Sequence, residues 1–70
     1  MVAELRRGDR VSWETSQGRT QGFVVETKTR DFEFAGRHFA ASADEPAYIV
    51  ESDKSGDRAA HKGSALRKLP

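Results

Sequence analysis

The feature that most constrains this chain is a strict alternation that follows Gly8-Asp9. Arg10, Ser12 and Glu14 point one way, while Val11 and the only tryptophan, Trp13, point the other. A period of two is what a strand with one buried face requires. Gly8-Asp9 itself is turn chemistry, since glycine takes positive φ freely and aspartate bonds its own backbone. Thr15-Ser16-Gln17-Gly18 is short and polar and ends in glycine, so it reads as a tight reversal. A long second strand then runs from Arg19 to Thr29, with Gly22 marking a bend or bulge. Two strands around one tryptophan make a hairpin that the rest of the chain can wrap.

The wrapping has little material to work with. Seventy residues give one small domain that buries only about 60% of the surface its unfolded chain exposes. Its expected stability is about 3–5 kcal/mol. There is no cysteine, which excludes disulfides, thiolate-bound zinc and a thiol nucleophile. Met1-Val2-Ala3-Glu4-Leu5-Arg6-Arg7 lacks the apolar core of a signal peptide, and residues 1–6 read as a loose lead-in in which Leu5 is the candidate anchor to the rest of the fold. The longest apolar run, Ala47-Tyr48-Ile49-Val50, is far too short to span a bilayer. A soluble, cytoplasmic monomer without membrane contact is the expectation.

Further strands follow in order. Phe32 and Phe34 alternate with Asp31 and Glu33, Ala35-Gly36 makes a turn, and Arg37 to Ala41 pairs back. Pro46 opposes helix in the preceding Ala41-Ser42-Ala43-Asp44-Glu45 segment, which reads as a loop. Ala47 to Ser52 is a strand, Asp53-Lys54-Ser55-Gly56 a turn, and Asp57 to His61 the returning strand. Ser64 is placed to cap one helical turn, Ala65-Leu66-Arg67, which drops Leu66 into the barrel end. Short strands between turn signals indicate a small closed all-β barrel of five to six strands, with one helical turn near the C-terminus.

The residues of this barrel resemble a known family. Gly8-Asp9-x-Val11-x-Trp13, Gly18-x-x-x-Gly22-x-Val24, Ala41-Ser42-x-Asp44-Glu45-Pro46-x-Tyr48-x-Val50 and Gly56-x-x-Ala59-Ala60-His61-Lys62-x-Ser64-Ala65-Leu66 are similar to the hypervirulence-associated tudor-domain proteins. The resemblance implies an SH3-like barrel of tudor type, and it carries no activity or ligand over to particular positions.

Function is read from the side chains. Trp13, Phe23 and Tyr48, with Asp44 and Glu45, are the candidate lining of a groove between the first hairpin loop and the loop at residues 43–48. An aromatic cage there would hold a methylated ammonium by cation–π attraction. Against this, a barrel this small needs most of its aromatics to fill its interior, Trp13 first among them. Phe23 is the best exposed aromatic, because Val24 takes the core position. His38 and His61 lack metal-ligand spacing. Ser64 and Asp57 flank His61 only in sequence, which defines no catalytic geometry. The reading is therefore a non-catalytic module without cofactor or metal, binding a protein or peptide segment. The alternative is weak RNA or DNA binding by Arg6, Arg7, Arg10, Lys62, Arg67 and Lys68, the basic residues near both chain ends. Balanced charge, 12 basic against 11 acidic residues, favours a solvated rim over that alternative.

Overall fold

The structure, a computed structural model, describes residues 5–70. Residues 1–4 of the expected lead-in lie outside the described residues. Seven strands form: β1 (Arg10–Thr15), β2 (Gly18–Lys28), β3 (Phe32–Phe34), β4 (Arg37–Phe39), β5 (Ala47–Ser52), β6 (Arg58–Lys62) and β7 (Arg67–Lys68). A 3-10 turn at Gly63–Ala65 joins β6 to β7. Five strands make one antiparallel sheet in the order β6-β5-β2-β1-β7, and β3 and β4 make a separate hairpin sheet. This is a small all-β, SH3-like barrel of tudor type. The strand beyond the expected six is β7. It has only two residues, too few for any periodicity, and is fixed by pairing Lys68 with Val11 and Arg67 with Ser12.

Alternation on the inner face builds the core. Leu5, Val11, Trp13, Val24, Tyr48 and Val50 form one buried cluster, with Ala59 and Leu66 packed against it. Leu5 is thus part of the core, the anchoring place expected of it, while Arg6 is exposed. The register explains the rest. Val24 stands opposite Val50, and Val50 opposite Ala59, so three neighbouring strands put apolar groups on the same face.

Gly22 is required by close approach rather than by a bend. A Cβ placed there would lie 1.8 Å from the Glu51 carbonyl oxygen and 2.9 Å from Cη2 of Trp13. The indole therefore lies where a side chain on β2 would be. The irregularity expected at Gly22 sits instead between Val24 and Glu26, where the β2–β5 register shifts. That bulge reconciles a strand carrying apolar groups on both faces: Val24 is buried, whereas Phe23 and Val25 are half-buried.

The helical turn also falls two residues earlier than expected, at Gly63–Ala65. Lys62 occupies its cap position and no side chain caps it. Ser64 lies inside the turn and is exposed, so it is not the cap. Leu66 follows the turn and does pack against the core.

Candidate functional site

Two turns at the same end of the sheet define a concavity. The β1–β2 turn is held by Thr15, whose hydroxyl donates to the Gly18 carbonyl at 2.7 Å and accepts from the Gln17 amide at 3.1 Å. In the β5–β6 turn the Gly56 amide donates to the Ser52 carbonyl at 2.9 Å and the Ser52 amide to the Asp57 carbonyl at 2.8 Å. The Asp53 amide reaches across to the Gln21 carbonyl at 2.9 Å, which ties this turn to β2. Between the two turns lies an open cleft of ≈ 490 Å³. Its walls include Gln17, Arg19, Lys54, Ser55 and Arg58, with Trp13 at its base. A smaller cavity of ≈ 260 Å³ lies between β1 and the 3-10 turn, and Trp13 and Arg19 border both.

The residues expected to form a groove are not brought together. Trp13 and Tyr48 are core side chains, 5% and 2% exposed. Phe23 is half-buried on the other face of β2, between Arg10 and Glu51 of the neighbouring strands. Asp44 and Glu45 are exposed in the loop before β5, where the Ser42 amide donates to the Glu45 carbonyl at 3.2 Å and the Lys62 ammonium to the same oxygen at 3.2 Å. That loop enters β5 beside Lys28, at one end of β2, and the first hairpin turn is at the other end. An eleven-residue strand separates them by about 30 Å. The concavity therefore joins the first hairpin turn to the β5–β6 turn. Sequence reasoning passed over Lys54, Ser55 and Arg58 because a turn signal tells nothing of which other turn it will face.

The remaining aromatics gather elsewhere. Phe32 stacks on Phe39 across the β3–β4 pair, with centroids 5.4 Å apart, and Phe34 meets Phe39 edge-on at 6.4 Å. Lys28 lies 5.7 Å above the Phe32 ring and Arg37 5.6 Å above that of Phe39. These contacts hold the hairpin by its own rings and by Lys28 at the end of β2.

Of the basic residues near the chain ends, Arg67 and Lys68 are brought beside Arg10 by the β1–β7 pairing, where carboxylates stand among them, and Lys62 lies apart. Arg10 makes a two-pronged ion pair with Asp53, one hydrogen bond of which is 3.0 Å. Those hydrogen bonds hold the Asp53 carboxyl below its ordinary value of 3.8. Lys68 lies 3.7 Å from Asp9. Lys62 is at the far end of β6 from Arg58, bonded to the Glu45 loop. Arg6, Arg7 and Arg67 are exposed, and Arg67 borders the smaller cavity.

His61 stands across the core from β1. Its ring is 5.8 Å from that of Trp13, tilted by 44°. Burial pushes its pKa below the ordinary 6.5, because a half-desolvated imidazolium is disfavoured. Among the described residues no side-chain hydrogen bond joins His61 to Ser64 or Asp57. His38 pairs with Asp31 at 3.6 Å on the hairpin.

A five-stranded antiparallel sheet, a 3-10 turn before its last strand and a cleft between two hairpin turns define a tudor-type barrel. The family model described as the hypervirulence associated proteins TUDOR domain matches residues 8–66, and the chain belongs to that family. No curated protein and no solved structure matches it. Among the described residues no helix is long and apolar enough to cross a membrane.

Proposed function

We propose that this tudor-family barrel is a non-catalytic binding module, and that it takes an extended protein segment in the cleft between the β1–β2 and β5–β6 turns. The observation that carries this reading is the cleft itself. It is open, it runs between two turns braced on one sheet, and its rim is built of hydroxyl, amide and charged side chains from Gln17, Thr20, Ser52, Ser55 and Arg58. Such groups satisfy the backbone and side chains of a peptide lying across them. Both turns are tied to β2, by the Asp53–Gln21 bond and by the β1–β2 ladder. The cleft is thus largely formed before anything binds, which lowers the ordering cost of association.

The placement of His61 supports the non-catalytic reading. His61, the one histidine near the core, turns toward Trp13, and a general base must reach the proton it removes.

The test is to block the cleft. Peptides are selected on the protein from a random displayed library, and their affinity is measured for variants with a bulky ring at the rim. Gln17→Trp and Ser55→Trp are expected to weaken binding by about tenfold or more. Asp44→Trp and Glu33→Trp, away from the cleft, are expected to leave it unchanged. Peptides that ignore the two rim variants and are lost in Asp44→Trp would place the binding surface at the other end of the barrel.

A further inference from the structure

The chemistry of the cleft is electrostatic rather than aromatic. Trp13, its one aromatic wall, is 5% exposed and offers no free ring face. Phe23 lies on the opposite face of β2, Tyr48 is buried, and the three hairpin phenylalanines pack on one another. In place of rings the cleft presents cations from three elements: Arg19 of β2, Lys54 of the β5–β6 turn and Arg58 of β6. Asp57 is the single carboxylate in its lining.

The counter-ions of the two arginines stand outside the cleft. Glu14, 3.4 Å from Arg19, borders the smaller cavity. Glu51, 3.1 Å from Nε of Arg58, belongs to β5 and is no part of the cleft wall. Each arginine commits one nitrogen to its partner, Nη2 in Arg19 and Nε in Arg58. A guanidinium has five N–H donors, so both retain donors for a second acceptor. Lys54 makes no ion pair among the described residues. Gln17, Ser16 and Ser55 lie among these cations as neutral hydrogen-bonding groups.

We infer that the cleft binds an acidic protein segment, through carboxylate side chains held by Arg19, Lys54 and Arg58. The inference rests on the protein-segment reading above and adds its chemistry. A methylated ammonium fits poorly, because it needs exposed ring faces and here meets three like charges instead. Single-stranded nucleic acid also fits poorly. It binds by stacking bases on exposed rings above a continuous basic groove, and the one ring of this cleft is the buried Trp13. An acidic segment needs only spaced cations with neutral hydrogen-bonding groups between them, which is what the two turns present.

The experiment is an amide-shift titration of the full chain with four probes: a short peptide of alternating Glu and Ser, its Gln/Ser counterpart, a trimethyl-lysine/Ser counterpart, and an oligothymidylate. The Glu peptide is expected to move the amides of residues 16–19 and 52–58 and to bind about tenfold tighter than the Gln peptide, one charge-assisted contact's difference. Lys54→Glu is expected to abolish that preference with the melting temperature unchanged, since Lys54 is exposed and unpaired among the described residues. Equal binding of the Gln peptide at the same amides overturns the acidic-segment inference and leaves the protein-segment reading standing. Tighter binding there by the trimethyl-lysine peptide does the same. Tighter binding there by the oligothymidylate overturns both, as does a cleft that no peptide moves.

Discussion

Gly22 and Trp13 depend on each other. The indole fills the space that any side chain on Gly22 would occupy, and the Glu51 carbonyl closes the same space from β5. Gly22→Ala therefore pushes β2 away from β5 or displaces Trp13, and its expected cost is about 3 kcal/mol or more. Trp13→Ala leaves a cavity at the centre of the cluster and should cost about 3–5 kcal/mol, comparable to the whole expected stability of ~3–5 kcal/mol. Urea denaturation measures both, and a near-normal midpoint in either variant contradicts this account of the core. His61 sets a pH dependence. Its pKa is lowered by burial, so as pH falls the unfolded chain takes up the proton first. Stability is full above the unfolded value of 6.5, declines below it, and bottoms out once pH passes the folded value. Asp53 is also depressed, from 3.8, but it titrates in a more acid range and lies at the surface, paired with Arg10. His61→Gln should therefore flatten the fall in melting temperature between about pH 7 and about pH 5.

Among the elements, β3 and β4 stand apart, sharing no ladder with the main sheet. The hairpin rests on the Phe32, Phe34 and Phe39 cluster and on Asp31, whose carboxylate accepts the Ala41 amide at 3.1 Å. Phe39→Ala should speed hydrogen exchange of the β3–β4 amides and leave those of β1, β2 and β5 protected. Its turn carries a correctable defect. Ala35 has φ 54, beside Gly36 at φ 76, and a left-handed alanine costs about 1 kcal/mol. Ala35→Asn should slow exchange across the same hairpin, by roughly 1 kcal/mol in local opening free energy. The elements also show where sequence was enough. β1 and β3 announce themselves by alternation, β5 by a short apolar run after Pro46, and Val24 is recognisable as the inward residue beside Phe23. The bulge at Val25 is not legible, because it is a property of the β2–β5 register and not of β2 alone. Nor is β7, whose two residues acquire meaning only from β1.

At the scale of the molecule, the arrangement of strands decides which loops share a surface. The sequence reading brought the first hairpin turn and the 43–48 loop together. The antiparallel β2–β5 pairing sends that loop to the opposite end and puts the 53–56 turn in its place. Residue types at each loop were readable; their neighbours were not, since proximity of two turns arises from strand direction and length. Charge behaves in the same way. A near-neutral total, 12 basic against 11 acidic residues, does not tell where the charges face: the carboxylates paired with Arg19 and Arg58 stand outside the cleft wall, and Lys54 has no ion pair among the described residues. Affinity for an acidic segment should fall moderately with salt, as expected for exposed charges screened over a Debye length of about 8–10 Å. Phosphate contacts would instead give a log–log slope of about −0.7 for each contact with a single strand. The most direct test of the central claim is amide-shift mapping with a library-selected peptide. The account predicts movement confined to residues 16–20 and 52–59, with the β3–β4 hairpin and residues 42–46 unmoved. Movement centred on residues 42–46, or on the hairpin, with the cleft unmoved, would contradict it.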